Sequence, residues 1–238
     1  MKKKKKSLTL MVVFMTIFIS YMEAVFTPCQ VLADDAADSR QLVMKARLTF
    51  ENFVSDPDMS SFRDLVKKAK GIFIAPQVLK GAFILGASGG SGVLLARSMV
   101  NRPWSGPAFY TIGEISFGFQ AGGKVSEVIL LAMSERGVSA FLGNSFKLGG
   151  NIGVTVGPVG AGVSAASANL SMDILSFSTS TGLYGGFSLG GAIVAVRKGL
   201  NIAYYGQNTD PSDILIRQKV KNSQSDELIK AVEKAAGP

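Results

Sequence analysis

The chain has 238 residues, 47% of them hydrophobic, with 25 Lys and Arg against 17 Asp and Glu, a formal charge of +8. It holds no histidine and one cysteine, Cys29, which removes the commonest metal ligand, the usual general base at neutral pH and any internal disulfide. Catalysis by Ser-His-Asp or Cys-His groups is thereby excluded, and the expectation is a protein that is not an enzyme and uses no cofactor or metal.

Lys2 to Lys6 form a basic segment, followed by an apolar stretch from Leu8 to Met22 that Glu23 closes. That stretch falls short of the roughly 18 or more apolar residues of a membrane-spanning helix. Val31-Leu32-Ala33 then supplies small residues for cleavage, so residues 1–33 read as an export signal and residues 34–238 as a single domain, periplasmic or secreted and peripheral to a membrane. Phe26-Thr27-Pro28 does not match what precedes a lipoprotein cysteine, which argues against lipidation of Cys29. Without the signal the charge falls to +4, and no case for a nucleic-acid partner remains.

Asp34 to Val54 carries the period of an amphipathic helix, with Leu42, Ala46, Thr49, Phe50 and Phe53 on one stripe. Asp56-Pro57 ends it. A second helix starts at Ser60 or Ser61, buries Phe62 with Leu65 or Val66, and stops before Gly71. Lys67, Lys68 and Lys70 crowd its last turn, where the helix macrodipole favours cations with or without a partner. Short strands are expected over 71–76, 82–87 and 93–97, the last two separated by Ser88-Gly89-Gly90-Ser91-Gly92. Asn101 to Pro107 is turn chemistry around the sole tryptophan, Trp104, expected to be exposed. Ile115, Phe117 and Phe119 mark a half-buried strand, Val128 to Met133 a central one, and Ser134 caps a helix ending at Gly143.

From Gly143 to Gly206 the sequence is nearly free of charge and rich in Gly and Ser. Ile152, Val154 and Val156 share a strand face that Gly157-Pro158 breaks. Ser176, Ser178 and Ser180 alternate with Phe177, Thr179 and Thr181 up to Gly182, and Phe187, Leu189 and Ile193 share a third face. Asp173 reads as a turn cap. Asp210-Pro211-Ser212 opens a helix, and Asp226 to Ala236 forms the last one. The fold class that follows is α+β: a glycine-rich antiparallel sheet curled into a barrel or sandwich, with helices at the N- and C-terminal ends. An outer-membrane β-barrel or structural envelope protein is the alternative that Gly-rich alternation behind a signal also describes.

Chemical motifs fail on mechanism. Gly86-Ala87-Ser88-Gly89-Gly90 has the letters of a nucleophile elbow but no histidine to serve it, which leaves only a Ser-Lys pair with Lys80 or Lys124. Gly157 to Gly162 lacks dinucleotide-binding spacing. Paired carboxylates would have to come from Glu114, Glu127, Glu135 and Asp173.

The order and spacing of Gly157-Pro158, Phe177-Ser178-Thr179-Ser180-Thr181-Gly182-Leu183-Tyr184-Gly185-Gly186, and Asn201 through Tyr204-Tyr205-Gly206 resemble the signature of the SYLF domain family, over about Ala69 to Tyr205. The resemblance implies a non-enzymatic, lipid-binding module. Some eukaryotic members bind actin, which an exported protein would not meet, so the expected partner is phospholipid or an anionic membrane surface, with no actin. The candidate lipid contacts are Lys67, Lys68, Lys70 and Lys80, which bracket the strand over 71–76. Each basic residue near an anionic surface is worth roughly 1 kcal/mol.

Overall fold

Apolar stripes in the sequence become helices laid on a sheet. The computed structural model describes residues 28–82, 85–98, 103–117, 122–149, 156–158, 172–181 and 191–237. Helix α1, Pro28–Ser55, begins six residues before the expected Asp34 and buries Val43, Ala46, Phe50 and Phe53 along one stripe. The Asp56 carboxylate accepts the Asp58 N–H at 2.9 Å and caps a 3-10 turn, and the Arg63 guanidinium reaches back to the Val54 carbonyl at 3.2 Å. Helix α2, Ser60–Val66, buries Phe62, Leu65 and Val66. Phe62 is the knot of this corner: its ring meets Phe50 at 5.9 Å, Phe53 at 5.5 Å and Phe177 at 5.1 Å, all edge to face.

The strands are β1, Gly71–Ala82; β2, Leu85–Arg97; β3, Trp104–Phe117; β4, Gly122–Ala132; β5, Ser145–Lys147; β6, Val156–Pro158; β7, Ile174–Thr181; and β8, Ile193–Val196. They form one sheet in the order β5-β8-β3-β2-β1-β4-β7-β6. Seven strands pair antiparallel in a curled half-barrel, as the expected fold class requires, and β6 joins β7 in parallel at the edge.

Strand β1 runs past its expected end at Pro76, and β2 continues through Ser88 to Gly92, where a loop was expected. β1 passes through Pro76, because Ala75 and Pro76 stand opposite Gly92 alone in a β-bulge, a site that tolerates a residue without an N–H. β2 passes through Ser88 to Gly92, because the glycines let it lie against that bulge. A Cβ on Gly90 would sit 2.2 Å from the Gln77 carbonyl oxygen, and one on Gly92 2.5 Å from the Phe73 ring. Trp104 is also a correction: it pairs with Arg97, is 6% exposed, and packs in the core rather than in solvent.

Alternation sends each strand's apolar residues to two cores. One face carries Ile72, Ile74, Leu95, Phe109, Ile129 and Phe177 beneath α1, α2, helix α4 (Lys198–Tyr205) and helix α6 (Asp226–Ala236). The other carries Phe73, Leu94, Tyr110, Val128 and Leu130 beneath helix α3 (Glu135–Leu142) and helix α5 (Pro211–Leu215). Central strands buried on both faces explain the continuous apolar run from Val128. A membrane barrel turns bare strands to lipid, whereas among the described residues both sheet faces bear helices. In β7 the expected alternation holds, with Phe177 buried on the α1 side. The expected strand over 152–156 lies outside the described residues up to 155, as do Gly182, Phe187 and Leu189.

Candidate functional site

The turn between α2 and β1 is built by backbone bonds that leave its lysines outside. The Lys68 N–H donates to the Leu65 carbonyl at 3.0 Å and the Ala69 N–H to that of Val66 at 3.2 Å, winding down the helix, while the Ala69 side chain is buried. The Lys70 N–H then donates to the Ala132 carbonyl, and the Lys70 carbonyl accepts from the Arg97 N–H, both at 2.8 Å. These two bonds stitch the turn to the ends of β4 and β2. They bring Arg97 beside the lysines.

The result is a cleft of about 380 Å³ lined by Lys67, Lys68, Lys70 and Arg97 together with Glu135 and Ile216. Lys67 Nζ lies 3.2 Å from Asp64, and Lys70 Nζ 3.2 Å from Glu135, with all four side chains well exposed. Surface pairs of this kind contribute little and exchange readily for another anion. The cleft's lip is the turn after α5, where Ile216 is 49% exposed directly after the buried pair Ile214 and Leu215.

Lys80 is not part of this cleft. β1 runs on past the expected stop, so ten residues of extended chain, about 30 Å at strand rise, separate Lys80 from Lys70. The register sets Lys80 opposite Lys124 on one side and Ser88 on the other, with Glu114 next beyond Ser88. Ser88 is therefore a mid-strand residue in a cross-strand row, not the tip of a strand-to-helix elbow. The other acids have structural partners. Asp173 is buried and takes the Arg136 guanidinium through both carboxylate oxygens, at 2.7 to 3.1 Å, and the Ser134 hydroxyl, whose own oxygen accepts the Gly137 N–H at 3.0 Å. It thus anchors the start of α3 as well as the bend before β7.

A second cleft, about 520 Å³, opens between α1 and the β1 bulge, lined by Lys45, Leu48, Pro76, Gln77 and Glu127 among others. Pro76 and Gln77 stand opposite Glu127 alone. The Glu127 carboxylate accepts hydroxyl bonds from Thr49 at 2.7 Å and Thr179 at 3.1 Å, which fixes α1 to β4 and β7.

Sequence reasoning found the lysine trio and missed Arg97 and Ile216. Arg97 carries no local signal, since only strand register brings it to the turn. Ile216 had one: an apolar residue set among Asp213, Arg217 and Lys219.

Comparison with known proteins gives a family model described as "Ysc84: Las17-binding protein actin regulator", matching residues 113–235. The chain is 34% identical over 179 residues to the SH3 domain-containing YSC84-like protein 1 of Bos taurus, covering 74% of this chain and 52% of that protein. It is 30% identical over 177 residues to the protein YSC84 of Saccharomyces cerevisiae, covering 72% of this chain and 37% of the relative. LAS seventeen-binding protein 3 of the same yeast is 31% identical over 156 residues, covering 64% and 34%. The chain thus spans about half, or less, of the length of these curated relatives. No solved structure matches. These findings overturn the expectation that actin is excluded as a partner: the matching family is described as a Las17-binding actin regulator, and one relative is named for binding Las17. That exclusion had rested on export and on the lack of any support for actin outside the resemblance.

Proposed function

The chain belongs to the Ysc84 family, the family of the SYLF domain, and from that premise we propose that it is a non-enzymatic module that binds anionic phospholipid surfaces through the cleft of Lys67, Lys68, Lys70 and Arg97. The observation that carries the reading is the convergence of four cations on a turn fixed by backbone hydrogen bonds, where the pairs of Lys67 with Asp64 and of Lys70 with Glu135 are solvent-exposed and weak. At about 1 kcal/mol for each cation near an anionic surface, the set supports weak, salt-sensitive attachment.

The proposal includes export, with residues 1–33 removed and the remainder periplasmic or secreted. Cleavage after Ala33 would start α1 at Asp34-Asp35, two acids at a helix N-terminus, where the macrodipole favours them. Intact mass of the exported protein tests this: a mass retaining Met1 to Ala33 refutes cleavage.

Cosedimentation with phosphatidylcholine vesicles containing phosphatidylglycerol tests the lipid reading. Lys67→Gln/Lys68→Gln/Lys70→Gln should bind more weakly, with a flatter salt dependence and an unchanged melting temperature. Equal binding by the triple variant across the salt series refutes the cleft. A second reading, regulation of actin, is favoured by the family's description and by the relatives' names. Sedimentation with actin filaments in place of vesicles tests it, and an unchanged supernatant fraction counts against it.

A further inference from the structure

Six large apolar side chains stand exposed among the described residues: Met44, Leu48, Leu79, Val125, Ile193 and Ile216. Met44 and Leu48 lie on α1, Leu79 and Val125 on neighbouring strands, and Ile193 on the short strand β8. Ile216 is the one that lines the basic cleft, beside Lys67, Lys68, Lys70 and Arg97.

The turn that carries it is held from both sides. Below, Ile214 and Leu215 are buried, and the Ser105 hydroxyl, on β3, donates to the Leu215 carbonyl at 2.7 Å. Above, Asp213 gathers the turn: its carboxylate takes Arg217 at 2.7 Å and Lys219 at 2.9 Å, and its carbonyl accepts the Lys219 N–H at 2.9 Å. Gln218 is left at φ 52°, the only left-handed non-glycine residue among those described. Such a conformation is unfavourable for a residue with a Cβ and persists where its surroundings fix it. An isoleucine is thereby projected outward from a rigid turn, between cations on its own turn and cations across the cleft.

We infer that Ile216 is an apolar anchor, entering the boundary between headgroups and acyl chains of an anionic bilayer while the cleft cations meet the phosphates. This rests on the lipid reading proposed above and adds to it a contact that is insensitive to salt. Charge selects the occupant: an apolar side chain in a cleft of four cations and one acid, Glu135, matches a surface that is anionic outside and hydrocarbon beneath. Inserting an isoleucine part-way removes much of its exposed area from water, so its loss should weaken binding about fivefold.

The test uses the full chain with phosphatidylcholine vesicles containing phosphatidylglycerol. Ile216→Ser should bind about fivefold more weakly at every salt concentration, with the salt slope unchanged, and Ile216→Leu should bind as the unsubstituted protein does. In Ile216→Trp, emission should shift to the blue on adding vesicles and be quenched by brominated lipid, against the fixed background of buried Trp104. Binding by Ile216→Ser equal to that of the unsubstituted protein, or emission from residue 216 untouched by brominated lipid, overturns the anchor. The cleft reading survives that result if the triple lysine variant still loses affinity. If the unsubstituted protein ignores anionic vesicles, the cleft reading and the anchor fall together.

Discussion

Replacing Gly92 by Ala tests the account of the β1 bulge. The added methyl would sit 2.5 Å from Phe73 Cζ, 2.7 Å from Cε2 of the same ring and 2.7 Å from the Ile74 carbonyl oxygen. None of these atoms is free to retreat. Phe73 is fully buried, with its ring centroid 6.2 Å from that of Tyr110 and 5.8 Å from that of Phe141, and the carbonyl belongs to the strand ladder. Overpacking of this kind costs about 1–3 kcal/mol, and contact with backbone as well as with a wedged ring puts Gly92→Ala at the upper end. For a chain of this size each 1 kcal/mol moves the melting temperature by about 2–4 °C, so a cost of about 2–3 kcal/mol should lower it by about 4–12 °C in circular dichroism. Gly89→Ala is the control, because its methyl would meet nothing closer than the Ile112 carbonyl at 3.9 Å. It should melt at or slightly above the unsubstituted temperature, since alanine suits a strand better than glycine. A Gly92→Ala protein that melts with the unsubstituted chain, or a Gly89→Ala protein that falls as far, refutes the bulge account.

Phe62→Ala removes the ring that joins α1, α2 and β7 and should cost about 3–5 kcal/mol in chemical denaturation; a loss under about 1 kcal/mol would show that the corner collapses around the gap. Hydrogen bonds from Lys219 and Arg217, aided by their charge, hold the Asp213 carboxyl below the usual carboxylate range. Its contribution is therefore complete above the ordinary carboxylate pKa and is lost as pH falls through the lower folded value. Asp213→Asn should speed amide exchange at residues 216–219 at neutral pH, where the unsubstituted turn stays protected; identical exchange would mean the backbone bonds alone hold Gln218 in place.

The elements whose signals are local were the legible ones. The stripe of α1, the Ser134 cap of α3, the Asp210-Pro211 opening of α5 and the span of α6 depend on residues within a turn of one another. The break placed at Pro76 and the loop placed at Ser88 to Gly92 were one error seen from two strands. Proline and a run of small residues read as punctuation in one dimension, and only pairing shows that each accommodates the other. That error also grouped Lys80 with the trio, since a strand ending at residue 76 would have left it only one short strand away from them. The lysine trio was legible because it is contiguous. Arg97 and Ile216 reach it through strand register and through a turn more than a hundred residues downstream, which no spacing rule encodes.

The pairing order also dictates when the molecule can become itself. β1, β2 and β3 are sequential neighbours and can zip as a meander, but β8 must find β3 across some eighty residues, with Tyr110 opposite Val196. Helix α1 packs against α6, drawn from the last dozen residues of the chain. Contacts so distant in sequence form late and slowly. The core on the α1 side can therefore close only once the segment that forms α6 has been made, and until then that part of the amphipathic stripe of α1 has no lid.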